Sequence, residues 1–145
     1  MRRTWGVGIV LLLLLVFAPD SVFAQASSGR RPEVKLKGNY PNPFNPTTTI
    51  PFPVPEAFFE AGGQVRVTIG IYNMLSQLVA YPTALNHPAG NNVPINNLQY
   101  FSPGEFEAFW DGTDKTGRKV ASGVYYWQLV VNGVKYPPKK MIVSK

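Results

Sequence analysis

The sequence predicts an all-β protein, a single β-sandwich of about seven antiparallel strands. From Val34 onward, short runs alternate apolar and polar residues with a period of two, as strands with one buried face do. Gly, Pro, Asn and Asp separate these runs, as they do at tight turns. No segment sustains the 3.6-residue period of an amphipathic helix, so the sequence predicts strands and no helix.

The first 24 residues have the three parts of a secretory signal peptide. Two arginines follow Met1, an apolar run extends over residues 6–17, and small residues precede a predicted cleavage after Ala24. A membrane anchor is the alternative, but spanning needs about 20 apolar residues and Asp20 interrupts the run too early. We therefore expect residues 1–24 to be removed and the chain to leave the cytoplasm.

The remaining 121 residues suffice for one domain with its own core. Residues 25–35 are small, polar and charged and are predicted to be a flexible lead-in, which leaves residues 36–145 as the domain. The chain has no cysteine, so packing alone must stabilise it outside the cell. Removing two Arg and one Asp with the signal leaves 12 basic and 7 acidic residues, a net charge of +5. Such a protein is expected to meet an anionic cell-surface polymer and no nucleic acid, because no basic stripe is interleaved with aromatics.

The first predicted strand lies in a proline-rich stretch, residues 39–55, that holds six of the fourteen prolines. Ile50, Phe52 and Val54 alternate with prolines, so the missing N–H donors all point to one edge while the apolar side chains share one face. Such a strand can pair on one side only, which predicts a protected edge strand. The prolines upstream predict a rigid, extended approach.

The later strands follow in order. The run "QVRVTIGIYN" has one apolar face, "QLVAY" completes a hairpin with it, and "GEFEAFW" is a third half-buried strand. "RKVASG" is predicted to be a short strand, and "VYYWQLVV" leads into Asn132-Gly133, the strongest hairpin signal in the chain. The last strand is built on Met141 and Val143. This arrangement is typical of an immunoglobulin-like sandwich.

Four stretches also carry a family resemblance: "LKGNYPNPFNPTTTIPF", "IYNMLSQLV", "SPGEFEAFWDGTDKTGRKVASGVYYWQL" and the terminal "KKMIVSK". From Leu36 to Lys145 the chain resembles the C-terminal sorting domain (type A) of bacterial type IX secretion cargo. It is also similar to the immunoglobulin-like domain of flagellar hook-capping proteins. The resemblance implies export through the inner membrane, transit through the periplasm and an extracellular or cell-surface location.

The resemblance further implies partners and functional residues. An outer-membrane translocon would recognise the domain, and a surface peptidase would remove it while the cargo is attached to anionic lipopolysaccharide. The final strand would carry the partner recognition, through Lys139, Lys140, Met141, Ile142 and Val143. The residues of the structural motif are Asn39, Pro41, Asn42, Pro43, Phe44, Asn45, Pro46, Trp110, Asp111, Gly112, Ser122, Gly123 and Tyr125.

Catalysis and cofactors are not expected. His87 is the single histidine and is predicted to be a solvated loop residue, with no cysteine to complete a metal site. Asp111 and Asp114 have a weak resemblance to a calcium loop, for which a hairpin turn is the plainer account. Tyr126 and Phe109, on predicted outward faces, suit either sugar stacking or cross-strand pairing.

The sequence thus predicts a non-catalytic secreted domain that directs export to the cell surface. Its departures from the family leave an alternative, because the domain follows the signal peptide almost directly and no cargo separates them. The alternative is a self-associating structural subunit of an extracellular fibre or surface assembly, docking through its proline-rich N-terminal arm. Phe58 and Phe59 either cap the sandwich or form an exposed contact. The role of the long connection at residues 84–102 stays open.

Overall fold

A computed structural model describes residues 31–145, so the predicted signal peptide and the first part of the lead-in lie outside the described residues. Nine strands and one 3₁₀ turn, Glu56–Phe58, make up this part of the chain. The strands are β1 (Thr48–Val54), β2 (Val65–Tyr72), β3 (Leu78–Ala80), β4 (Thr83–Ala84), β5 (Leu98–Tyr100), β6 (Gly104–Trp110), β7 (Gly123–Val131), β8 (Val134–Lys135) and β9 (Lys139–Val143).

The strands form two antiparallel sheets, which confirms the predicted all-β sandwich. The small sheet has the order β1-β6-β4. In the large sheet β2 and β7 lie at the centre, β3 and β5 share the outer edge of β2, and β8 and β9 share the outer edge of β7. The inward faces of both sheets supply the core, whose largest fully buried side chains include Trp127, Phe44, Phe52, Ile69, Leu129 and Met141. Alternation with a period of two is therefore what places these residues inside.

Strand β1 is the protected edge strand that its prolines predict. Ile50, Phe52 and Val54 are buried and face Ala108, Phe106 and Gly104 of β6. The other edge of β1 begins with a two-way pairing, since the N–H groups of Tyr40 and Thr49 each donate to the other residue's carbonyl, at 2.9 and 2.8 Å. Beyond Thr49, that edge carries prolines, which offer no donor to a passing strand.

Local turn chemistry agrees with the sequence at both hairpins of the large sheet. Asn132 and Gly133 both have positive φ, 46° and 80°, and join β7 to β8 in the expected two-residue turn. Ser76, in the turn between β2 and β3, has φ 59°, a conformation that glycine adopts more readily. Phe58 and Phe59 are partly buried against the core, which favours the cap over an exposed contact.

Three details differ from the prediction. There are nine strands in residues 31–145, because β4, β5 and β8, with two or three residues each, are too short to give an alternation signal. The predicted strand "RKVASG" is wrong: it is a loop joined to the preceding turn by an isolated bridge between Thr113 and Lys119 and by the Val120 N–H, which donates to the Gly112 carbonyl at 2.9 Å. Contacts with the domain also begin before residue 36, since the Tyr136 hydroxyl donates to the Pro32 carbonyl at 2.9 Å.

The connection at residues 84–102 closes one side of the sandwich. Ile95 is fully buried, and its N–H donates to the carbonyl of Pro82, next to β4, at 2.9 Å. Its own carbonyl accepts from the N–H of Ile69 in β2, also at 2.9 Å. Ile95 therefore links β2 of the large sheet to the residue beside β4 of the small sheet, and the long connection has a structural role.

Candidate functional site

Two of the segments that carry the family resemblance, the proline-rich arm and the stretch from β6 to β7, meet at the C-terminal strand β9. The backbone of Phe44 pairs with it in parallel, because the Phe44 N–H donates to Ile142 at 3.0 Å and the Ser144 N–H donates to Phe44 at 2.9 Å. The side chain of Asn42 accepts from the N–H of Ile142 at 3.0 Å. The proline-rich arm, residues 39–46, therefore covers the edge of β9 that β7 leaves open.

A row of three aromatic rings links this arm to the other motifs. Phe44 packs edge-on against Trp110 with ring centroids 5.5 Å apart, and Trp110 packs against Tyr125 at 5.8 Å. Both polar tips are satisfied, since Trp110 Nε1 donates to the Thr113 carbonyl and the Tyr125 hydroxyl to that of Ala121, each at 2.9 Å. These rings join the arm, the turn after β6 and the start of β7 into one unit.

The two glycine turns of the motif sit at the same end. Gly112 has φ 76°, and a Cβ atom at this position would lie 2.6 Å from the Pro46 carbonyl oxygen. Only glycine lets the arm pass so close to the turn. Next to Gly123, the Ser122 hydroxyl accepts a hydrogen bond from the N–H of Lys145 at 3.2 Å. Both turns therefore have a structural role: the Gly112 turn contacts the end of the arm, and the turn at Ser122 and Gly123 holds the end of the chain after β9.

Asn39 anchors the start of the arm from inside. Its side-chain amide is buried and donates to Thr48 Oγ1 at 3.0 Å and to the Pro41 carbonyl at 3.2 Å. The Thr48 hydroxyl donates in turn to the same Pro41 carbonyl at 2.9 Å. The peptide bonds preceding Pro41, Pro43 and Pro46 are cis. The exposed Asn45 lines a small cleft of about 290 Å³ beside Gly112 and the chain end.

The structure divides the predicted recognition residues of β9 into two sets. Met141 and Val143 are core residues. Met141 is fully buried and Val143 is 4% exposed, so a partner of the folded domain cannot contact them. Lys140 is exposed and Ile142 partly exposed on the outer face, and Lys139 is partly exposed at the start of the strand. The recognition prediction therefore applies to these three residues.

Asp111 and Asp114, the weak calcium candidates, each use one carboxylate oxygen inside their own turn. Asp111 Oδ1 accepts from the N–H and hydroxyl of Thr113. Asp114 Oδ1 accepts from Thr116 and from the N–H of Arg118, and the Thr116 hydroxyl is the main cause of a lowered pKa for the Asp114 carboxyl. Within residues 31–145 no three acidic, histidine or cysteine side chains come together as a metal site would require. A hairpin turn accounts for both.

The prediction for His87 is wrong, because the ring is buried, with 8% exposed. Its Nδ1 accepts from the Ala89 N–H at 3.0 Å, so Nε2 carries the proton and donates to the Gln99 carbonyl at 2.7 Å. The ring packs edge-on against Tyr100 at 4.9 Å. A loop sequence with a neighbouring proline hides this burial, since the contacts come from a distant strand.

One polar pair was missed by the sequence analysis. The exposed Tyr40 hydroxyl donates to Glu107 on the outer face of β6, and this hydrogen bond is the main cause of a raised pKa for Tyr40. The pair lines an open groove of about 570 Å³ together with Lys37 and Pro51. The sequence indicates this pair only through the alternation of side chains along β6, which places Glu105 and Glu107 on the outer face.

No family model matches the chain, and no curated protein matches it either. Among solved structures, the chain is similar to part of dimeric latent PorU from Porphyromonas gingivalis, with a TM-score of 0.49 and 28% sequence identity. The similarity covers 72% of this chain but only 9% of that one. The two antiparallel sheets by themselves establish the sandwich. In the part of the chain that the structure describes, no helix is long and apolar enough to cross a membrane.

Proposed function

We propose that this chain is a non-catalytic secreted domain that directs export to the bacterial cell surface through a type IX translocon. The observation that supports it is the convergence on β9: arm, turns and aromatic row all hold the final strand in one defined position. Holding the strand in this way presents Lys140 and Ile142 outward on the sheet and Lys139 at the strand's start. A translocon would then read the outer face of a folded strand, and a surface peptidase would act after export.

The assembly alternative gains no support from the arm. Residues 39–46 are docked on their own domain, with Phe44 only 2% exposed. The arm also covers the edge of β9, and on β1 it pairs with Thr49 where the proline-protected edge begins, so neither edge is open to strand addition. We therefore retain the sorting proposal as the conclusion.

The test places residues 31–145 behind a signal peptide and a fluorescent reporter in a type IX-competent bacterium and in its translocon-deficient mutant. Surface fluorescence that depends on the translocon is the expected result. Retention in the periplasm of both strains, or surface delivery in both, would overturn the proposal.

Deleting residues 139–145 is a poor test, because it removes Met141 and Val143 from the core. The sharper variant is Lys139→Glu with Lys140→Glu, which reverses charge on the strand without removing a core side chain. Lys115→Glu with Lys119→Glu, at exposed turn positions, makes the same charge change elsewhere. Loss of surface delivery in the first pair and not in the second is expected, with both proteins folded by circular dichroism. Equal delivery by both pairs would remove the recognition role from β9.

A further inference from the structure

The two sheets carry charge of opposite sign. On the strands of the large sheet the charged residues are all basic: Arg66, Lys135, Lys139 and Lys140. On the strands of the small sheet, within the described residues, the charged ones are Glu105 and Glu107. The outer face of the large sheet is therefore suited to an anionic ligand.

Where β2 ends, two tyrosines project from that outer face. Tyr72 of β2 and Tyr126 of β7 are direct cross-strand partners, and Lys140 of β9 continues the same row. All three side chains point away from the core, because their neighbours Ile71, Trp127 and Met141 are buried. The row therefore combines two aromatic rings with a cation.

Gly70 determines how the Tyr72 ring lies. A Cβ atom at Gly70 would come within 2.6–2.8 Å of the Tyr72 ring and hydroxyl, so the ring folds back along its own strand over this glycine. One face of the ring is thus turned to the sheet and the other to solvent. Without a side chain at position 70 the sheet surface offers a flat aromatic platform.

Beside the platform runs an open groove of about 580 Å³, lined among others by Tyr72, Tyr126, Gln128, Lys135 and Pro138. This volume is within the range of about 300–1,000 Å³ that is typical of ligand sites. Gln128 uses its amide N–H to donate to the Tyr136 carbonyl at 3.0 Å, which fixes the side chain and leaves its oxygen as an acceptor. In residues 31–145 neither the Tyr72 nor the Tyr126 hydroxyl has a hydrogen-bond partner.

We propose that this face, the platform of Tyr72 and Tyr126 with Gln128, Lys135 and Lys140, binds an acidic polysaccharide. A pyranose ring presents C–H groups on its faces, which suit the negative face of an aromatic ring. Its hydroxyls would meet the tyrosine hydroxyls and the Gln128 oxygen, and its carboxylates would meet the two lysines. The site shares Lys140 with the proposed sorting face, so the tyrosine variants, which leave Lys140 in place, separate the two roles. Of the two outward aromatic residues that the sequence indicates, Tyr126 belongs to this face, whereas Phe109 lies on the small sheet.

The experiment uses the chain from residue 25 in affinity electrophoresis through polygalacturonate, with neutral dextran as the matched polymer. Retardation by polygalacturonate and none by dextran is expected, weakening from low to physiological ionic strength of about 0.15 M. Tyr126→Ala should weaken the retardation about tenfold, the effect of losing one stacking ring. Tyr126→Leu keeps the apolar contact without the flat ring and should weaken it similarly. Lys135→Gln with Lys140→Gln should also weaken it.

Phe109→Ala is the control, because it removes an outward aromatic from the opposite sheet. The proposal is overturned if polygalacturonate causes no retardation, or if Phe109→Ala weakens it as much as Tyr126→Ala. It is also overturned if only the lysine pair matters, which would indicate a general attraction between charges. Sedimentation that shows self-association, abolished by Glu105→Gln with Glu107→Gln and unaffected by the polymer, would assign the basic face to a second copy of the chain. Surface delivery of the Tyr126→Ala and Phe109→Ala variants is measured separately from their binding to the polymer.

Discussion

Phe44 and Trp110 pack edge-on at 5.5 Å, although one belongs to an irregular arm and the other ends strand β6. The contact joins the edge of β9 to the core, because the backbone of Phe44 pairs with Ile142 while its ring is 2% exposed. A short proline-rich arm thus supplies both a core side chain and an edge cover. This double role explains why the arm can be rigid without belonging to either sheet.

Phe44→Ala should lower the free energy of unfolding by about 3–5 kcal/mol, the usual cost of removing a buried phenylalanine ring. It should also loosen the edge of β9. Chemical denaturation measures the first effect and hydrogen exchange at Ile142 the second. Phe101→Ala, at a position 65% exposed, is the control and should change stability by less than about 0.5 kcal/mol. Equal effects of the two variants would contradict the packing argument.

Pro51→Thr with Pro53→Thr should produce association that depends on concentration. The two new N–H groups lie on the outer edge of β1, where they would make a template for a second strand. Sedimentation velocity measures the change, with Pro103→Thr, in an exposed loop, as the control. A double variant that stays monomeric at high concentration would show that the prolines do not protect this edge.

Thr48→Val should destabilise the domain by about 1–3 kcal/mol, because it leaves the buried amide of Asn39 without its hydroxyl partner. Thr49→Val is the same substitution one residue along, on the outward face, and should have little effect. Thermal unfolding compares the two variants. If they are equally stable, the hydrogen bonds of Asn39 do not anchor the arm.

Gly112→Ala should be more destabilising than Gly117→Ala, although both glycines have positive φ, 76° and 82°. The left-handed conformation costs each alanine about 1–2 kcal/mol. At Gly112 the new methyl group also meets the Pro46 carbonyl, whereas nothing lies within 4 Å at Gly117. Denaturation of the two variants measures the difference, and equal losses would place the arm further from this turn than the structure does.

The Asp114 carboxyl should make stability depend on pH in acid. Its pKa in the folded domain is lowered from 3.8 by the hydrogen bonds from Thr116 and Arg118, so it stabilises the fold above pH 3.8 and loses that contribution as the pH falls through the lowered value. Asp114→Asn keeps an oxygen acceptor without the charge. The difference in Tm between the variant and the native chain should therefore shrink below pH 3.8. A difference that stays constant from neutral to acid pH would contradict this.

By itself the sequence determined what depends on neighbours in the chain. Alternation with a period of two predicted the buried faces of β1, β2, β6 and β7, because successive side chains of a strand point to opposite sides. The two-residue turn at Asn132-Gly133 and the one-sided pairing of β1 followed in the same way, from backbone conformations that only certain residues adopt. The recognition prediction for β9 stays a prediction, and the sequence alone could not separate the buried Met141 from the exposed Lys140.

Only the tertiary structure decided the relationships between distant segments. The side chain of Asn42 meets the backbone of Ile142 across 100 residues, and Ile95 hydrogen-bonds both to Ile69 of β2 and to Pro82 beside β4. Local pattern carries no information on such pairs, because they depend on which edges and faces the packed core leaves uncovered. The burial of His87 and the placement of Tyr72 beside Tyr126 depend on strand order for the same reason.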